Sequence, residues 1–371
     1  MSTPITGVFT EIPSRSGEIA LSVKNLCVNF PTDDGVVHAV RDISFDLREG
    51  EVLGVVGESG SGKSVSSMAV MGLLPKNAEI TGSVEFEDRE IVGMSDKQMR
   101  SIRGNGIAMI FQDPMTSLNP VYTIGWQLAE AYRSHHQVSK QVAAKRVLEV
   151  LDVVGIPQPD RRAKQFPHEF SGGMRQRVMI AMAVINEPKI IIADEPTTAL
   201  DVTVQAQILD TLRLLRDELS AAIIMITHDL GVVTGIADRV QVMYAGTMVE
   251  TGNVRTVFTE PRMPYTVGLL SSIPRADSVG IRLRPIKGAP PSLVNMPPGC
   301  PFSPRCPLSR ADCDESEPDM VDVDSPGHQA RCRHWDEVAA TPDPRSLFDT
   351  SSDADAVLPG DDAILSEEIA E

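Results

Sequence analysis

Apolar and polar positions change rhythm several times along the chain. From Ile19 to Phe30 the apolar residues Leu21 and Val23, then Leu26, Val28 and Phe30, alternate with polar neighbours; Val40, Ile43, Phe45 and Leu47 keep nearly the same spacing over Val36–Leu47. A period of two puts every second side chain on one face, so both stretches predict half-buried strands. Val52–Val56 is short and unbroken, as a strand buried on both faces would be. The stretch SVSSMAVMGLL after Lys63 predicts a helix that stops before Pro75. Strand-like pieces follow at Ser83–Phe86 and Ile107–Phe111. From about 113 to 186 the period lengthens, and WQLAEAYRSHH and KQVAAKRVLEVLDVVGI predict an inserted helical subdomain. Apolar strands return at Ile190–Ala193, Ala222–Ile226 and Val240–Tyr244, with the amphipathic VQAQILDTLRLLRDEL between the first two. Strand, helix, strand at this spacing predicts an α/β fold with a mostly parallel core sheet behind an antiparallel N-terminal part.

Composition qualifies this picture at the two ends. Residues 1–18 are rich in Ser, Thr, Pro and Gly and predict a flexible leader. Eight prolines between 285 and 307 exclude a long helix there. The 371 residues carry 34 Lys plus Arg and 51 Asp plus Glu, a formal charge of −17. Residues 336–371 hold 11 acids and one Arg, so −10 of that charge sits in a tail expected to be disordered. The body is only mildly acidic and shows no basic stripe, which argues against nucleic acid as a partner. No apolar run reaches the roughly 18–20 residues of a membrane span, and the N-terminus lacks the pattern of a secretory signal. The expected compartment is therefore the cytosol, with any membrane role exercised through partners. No internal repeat is visible.

The chemistry begins at Gly57-Glu58-Ser59-Gly60-Ser61-Gly62-Lys63-Ser64, which fits GxxxxGK[ST] between an apolar strand and a helix. Glycines let backbone N–H groups wrap an anion, and the helix N-terminus adds its partial positive charge. Lys63 suits the β and γ phosphates of ATP and Ser64 suits Mg²⁺; Val65, which continues the loop into the helix, is counted with them among the ATP-binding residues. Asp194 and Glu195 close the strand Ile190–Ala193. Asp194 is placed to face Mg²⁺ and Glu195 to act as general base on water, the competing reading being a solvated acidic turn. His228 follows another strand 33 residues later, and ligands bind along that edge of a parallel sheet.

Ser171-Gly172-Gly173, 23 residues before Asp194, opens a helix and makes a second anion-binding terminus. With two such devices in one chain, the sequence resembles the ATP-binding subunits of ABC transporters over about residues 20–255. The resemblance implies a nucleotide-binding domain over 19–255 with its helical subdomain over about 113–186. It implies that Ser171, Gly172 and Gly173 act in trans on ATP held by a partner's P-loop. Met174 and Phe170 stand where that signature usually has Gln and Leu. The resemblance further implies Gln112 as the Q-loop ligand of Mg²⁺, Asp201 in the D-loop at the dimer interface, His228 as the switch histidine and Phe30 stacking on adenine. A P-loop kinase or GTPase would have no use for the SGG turn. A soluble ABC protein acting on ribosomes or DNA usually carries two ATPase units or a long coiled-coil insertion, and neither is visible.

Four of the five cysteines, Cys300, Cys306, Cys313 and Cys332, are spaced C-x5-C-x6-C-x18-C. In a reducing compartment such a group predicts metal binding, as Zn²⁺ or a [4Fe–4S] cluster, rather than disulfides. MPYTVGLL, KGAPPSL, GCPFSPRCPLSRADC and RCRHW resemble the C-terminal extension of oligopeptide and dipeptide importer ATPases, placed here at 256–335, with Met263 where His is usual. In that family the cysteine group is associated with an iron–sulfur cluster in some members, which favours [4Fe–4S] here over zinc. The implied assembly is a second, similar ATPase subunit, two integral membrane permeases and an extracytoplasmic binding protein, with this chain peripheral on the cytoplasmic face of the membrane. The cargo implied is a di- or oligopeptide, with another small solute, such as a nickel chelate, as the alternative.

Overall fold

The computed structural model describes residues 17–113, 117–198, 200–272 and 286–348. Two long strands, β1 (Ile19–Thr32) and β2 (Gly35–Arg48), form a hairpin, and β3 (Val52–Val56) leads into α1 (Lys63–Val70). With β4 (Glu79–Phe86) and β5 (Arg89–Glu90) the hairpin makes an antiparallel sheet ordered β2-β1-β4-β5. After α2 (Asp96–Met99) and β6 (Ile107–Ile110) the helical subdomain follows as α3 (Ile124–Arg133), α4 (Lys140–Val153), α5 (Pro159–Arg162) and α6 (Gly172–Val184). The chain then alternates through β7 (Ile190–Asp194), α7 (Val202–Leu219), β8 (Ala222–Thr227), α8 (Leu230–Ile236), β9 (Arg239–Tyr244) and β10 (Thr247–Asn253). Helices α9 (Val254–Thr259) and α10 (Pro264–Ser271) precede the short strands β11 (Val321–Asp322) and β12 (Gln329–Ala330) and helix α11 (Trp335–Ala340).

The core sheet runs β11-β12-β10-β9-β3-β8-β7-β6, and β9, β3, β8, β7 and β6 are parallel neighbours. The unbroken apolar strands divide by the pleat. Val52, Val56, Ile191, Ala193, Ile223 and Met225 pack into the core beneath the helices; Leu53, Val55, Ile190, Ile192, Ile224 and Ile226 pack into a second core shared with β1, β2 and α1. Each such side chain, removed fully from water, stabilises the fold by about 1.5–3 kcal/mol. A sheet apolar on both faces must be covered on both, so the P-loop at the end of β3 is held between two packed layers.

The extension joins the core: β12 pairs antiparallel with β10, and β11 with β12, so it lengthens the core sheet. β10 itself has no apolar alternation because Glu250 and Thr251 are buried in it. The Glu250 carboxylate is fully enclosed and accepts hydrogen bonds from the N–H groups of Arg262 (2.6 Å) and Met263 (3.2 Å) and pairs with His328 Nε2 (2.9 Å). A departure from the sequence-based expectation concerns the acidic tail expected to be disordered from 336. It is helical in α11 and makes a further 3₁₀ turn over Pro344–Phe348, where Phe348 packs against the main core. Val338 and Phe348 supply apolar anchors that net charge alone does not register. The remainder of that tail, 349–371, and most of the leader lie outside the described residues.

Candidate nucleotide-binding site

The turn from β3 into α1 is shaped by its glycines. Gly57 and Gly62 have φ of 153° and 100°, and a Cβ would fall 2.2 Å from the Met243 carbonyl oxygen and 2.5 Å from that of Ala39. Only glycine meets both demands, conformation and space, at these two positions. Gly62 is the N-cap of α1 and offers no side chain to it, so the first helical N–H groups remain available for an anion. Lys63 is buried, and its ammonium donates to the carbonyls of Gly57 and Glu58, both at 2.8 Å, and to Ser61 Oγ at 3.3 Å. Burial pulls the Lys63 pKa down, against the opposing pull of Glu195 and Asp194.

Strand β7, hydrogen-bonded parallel to β8, delivers two acids to the same edge. Asp194 Oδ1 accepts from Ser64 Oγ at 3.0 Å. Burial raises the Asp194 pKa, a cost that a cation alongside would offset. A hydroxyl and a carboxylate at hydrogen-bond distance on a phosphate-binding turn are the oxygen donors that a hard divalent cation prefers. Glu195 turns the chain with φ of 48°, its N–H donating to Ile226 O at 2.9 Å. Its carboxylate meets three groups: Gln112 Nε2 donates at 2.9 Å, Thr198 Oγ1 donates at 2.9 Å, and His228 Nδ1 lies at 3.2 Å. Burial works to raise the Glu195 pKa, but the bonds from His228 and Thr198 and the Lys63 charge hold it below the usual carboxylate range.

The structure thus brings together Gly57 through Ser64, Gln112, Asp194, Glu195 and His228. Thr198, not foreseen as a partner of Glu195, joins them; its position three residues beyond Glu195 is the only signal that could have suggested it. Phe30 pairs with Val37 close to the turn of the β1–β2 hairpin, whose Ala39 carbonyl borders Gly62. Val65 lies on α1 and packs into the second core. Ser171, Gly172 and Asp201 lie elsewhere, all exposed. Ser171 is the N-cap of α6, its Oγ accepting from Met174 N–H at 3.3 Å, and Asp201 caps α7 through Val204 N–H at 2.9 Å. Val202, beside Asp201, is 82% exposed.

Cys300, Cys306, Cys313 and Cys332 line one small cavity, with Met263, Phe302 and His334 among its other walls. Burial pushes the Cys300 thiol up, and those of Cys306 and Cys332 up to about 12. Among the described residues, the metal-type ligands that come within 4.8 Å of one another are Asp312, Cys313 and His334, not the thiols as a set. Cys27 lies apart, accepting from Asp42 N–H on the antiparallel sheet.

Comparison with known proteins gives two family matches: "ABC transporter" over residues 40–198 and "Oligopeptide/dipeptide transporter, C-terminal region" over 249–313. The dipeptide transport ATP-binding protein DppD of Bacillus subtilis is 54% identical over 324 residues, spanning 87% of this chain and 96% of the relative. The oligopeptide transport ATP-binding protein OppD of Mycobacterium tuberculosis is 55% identical over 314 residues, but the chain spans only 51% of that relative's length. Among solved structures, the dimeric cassette MJ0796, described as a bacterial ABC transporter cassette, is similar at a TM-score of 0.57 and 27% identity, covering 63% of this chain and 99% of that one. Among the described residues, no helix is long and apolar enough to cross a membrane.

Proposed function

We propose that this chain, which belongs to the family of ATP-binding subunits of oligopeptide and dipeptide ABC transporters, hydrolyses ATP to ADP and phosphate to drive peptide import. The observation that carries the reading is the convergence on Glu195. A carboxylate kept ionised sits one residue beyond an acid bonded to the P-loop serine, oriented by Gln112, Thr198 and His228. The P-loop amides and Lys63 bind and orient the β and γ phosphates. Ser64, Asp194 and Gln112 would hold Mg²⁺, which would supply charge neutralisation at those phosphates. Glu195 takes the proton of the attacking water, and His228 orients both. Phe30 stacks on the adenine.

Ser171, Gly172 and Gly173 act in trans, together with Asp201: Ser171 and Asp201 are exposed helix caps outside the P-loop cluster, and on this reading the four complete a partner's site. The partners proposed are a second, similar ATPase subunit, two membrane permeases and an extracytoplasmic binding protein, with this chain peripheral on the cytoplasmic face of the membrane. The four cysteines are proposed to hold a [4Fe–4S] cluster. Four thiolates on one zinc at about 2.3 Å would sit about 3.8 Å apart, closer than these sulfurs gather, and a cluster with four iron corners spreads its ligands further.

The test is Glu195→Gln in the reconstituted transporter. Loss of the base lowers steady-state ATPase activity by on the order of 100-fold or more while ATP still binds. Unchanged turnover, or peptide import without ATP hydrolysis, would remove Glu195 from the role and the transport reading with it.

A further inference from the structure

Glu58, the second residue of the P-loop, is held at all of its polar groups. Its carbonyl accepts from Lys63 at 2.8 Å, inside the loop. Its other partners come from the C-terminal extension. The Glu58 N–H donates to Tyr265 Oη at 2.8 Å, and its carboxylate receives both arms of the Arg305 guanidinium, Nη1 to Oε2 at 2.6 Å and Nη2 to Oε1 at 2.9 Å. The Arg305 side chain is 4% exposed. It lies over the rings of Tyr244 and Phe302 at 5.8 and 5.9 Å, while Tyr265 packs on the same two rings at 4.5 and 5.4 Å. Tyr244 ends β9, which is paired in parallel with β3, the strand that carries the P-loop. The extension therefore forms one wall of the phosphate-binding turn.

This arrangement answers an electrostatic difficulty in the motif itself. A carboxylate two residues into a turn that must bind a polyanion repels it unless the charge is neutralised and aimed away. A planar bidentate guanidinium does both, which a lysine ammonium does not. The Tyr265 hydroxyl fixes the backbone N–H at the same residue, so that residue can neither swing toward the phosphates nor rotate its peptide.

We propose that Arg305 and Tyr265 are positioning residues for nucleotide, through which the extension sets the P-loop's affinity for ATP. The proposal rests on the ATPase reading above. Its test is ATP–Mg²⁺ binding by calorimetry on the full chain, with KM and kcat from the reconstituted complex. Arg305→Met leaves Glu58 unpaired and weakens ATP binding about tenfold or more, in KM rather than kcat. Adding Glu58→Gln to Arg305→Met removes the stranded charge and brings the Kd back to within about threefold of the wild-type chain, a recovery that a merely packing role for Arg305 could not produce. Binding by Arg305→Met within twofold of wild type, or no recovery in the double variant, overturns the proposal. Should Arg305→Met fail to fold, Arg305→Lys and Tyr265→Phe decide it. Each weakens binding by roughly two- to fivefold if the fork and the hydroxyl position the loop, and unchanged binding by both overturns it. A wild-type chain with no affinity for ATP would strike down the functional reading as well, and so is distinguished from these outcomes.

Discussion

Glu195 sits in the left-handed region, with its N–H tied to Ile226 and its carboxylate shared among three side chains. Strain of that kind persists only where surroundings over-determine it, and here the reward is a carboxylate whose direction is fixed before any substrate arrives. The bond from His228 also bears on protonation, being the foremost of the interactions that draw the Glu195 pKa down against burial. A depressed carboxylate is ionised above its pKa and loses its basic form as pH falls through it. Removing His228 removes part of the depression, so the pKa rises. His228→Ala is therefore expected to move the acidic limb of the kcat/KM–pH profile upward, besides lowering kcat. A profile whose acidic limb stayed in place would show that His228 does not act on the protonation of Glu195.

At the scale of elements, β10 carries the least obvious decision in the fold. Its Glu250 is the acceptor for two backbone N–H groups leading into α10 and for the His328 ring preceding β12. One carboxylate thus joins the core sheet to both halves of the extension. Replacing it with alanine leaves those donors buried without a partner, so Glu250→Ala should cost about 3 kcal/mol or more of unfolding free energy. Denaturant unfolding measures this, and a change below about 1 kcal/mol would mean that β10 and the extension hold together by apolar packing alone. The same element logic explains why the extension can reach the P-loop. Once β12 is registered on β10 and α10 docks on the core, Tyr265 and Arg305 arrive beside Glu58 on elements that cannot drift.

The candidate site residues fall into two groups at the scale of the whole molecule. The P-loop, Asp194, Glu195 and His228 converge, whereas Ser171 and Asp201 are exposed and cap α6 and α7. Cys306, which lines the cysteine cavity, is the residue after Arg305 in the chain. Burial pushes the Cys306 and Cys332 thiols up to about 12, and the proposed cluster would bind by displacing their protons. Protein purified without oxygen is accordingly expected to be brown and to carry iron and sulfide. A colourless preparation with stoichiometric zinc would overturn the cluster assignment. Removing the metal with a chelator is expected to lower the unfolding temperature, because ligand gathering and folding of the extension are one process.

What the chain determines locally could be read without coordinates. A glycine-rich turn between an apolar strand and a helix, two acids at a strand end, a serine N-cap before two glycines: each is encoded within about ten residues, because backbone conformation and pleat periodicity are short-range properties. The division of β3, β7 and β8 between two cores follows from the same alternation. Tertiary structure alone decided that Thr198 would join Gln112 and His228 on Glu195, that a glutamate would be buried in β10, and that residues 336–348 would be ordered with Phe348 packed against the main core. It also placed Tyr265 and Arg305 on Glu58 across separations of 207 and 247 residues. Charge and hydrogen-bond satisfaction depend on which groups meet after burial, and no period in a sequence records a partner that distant.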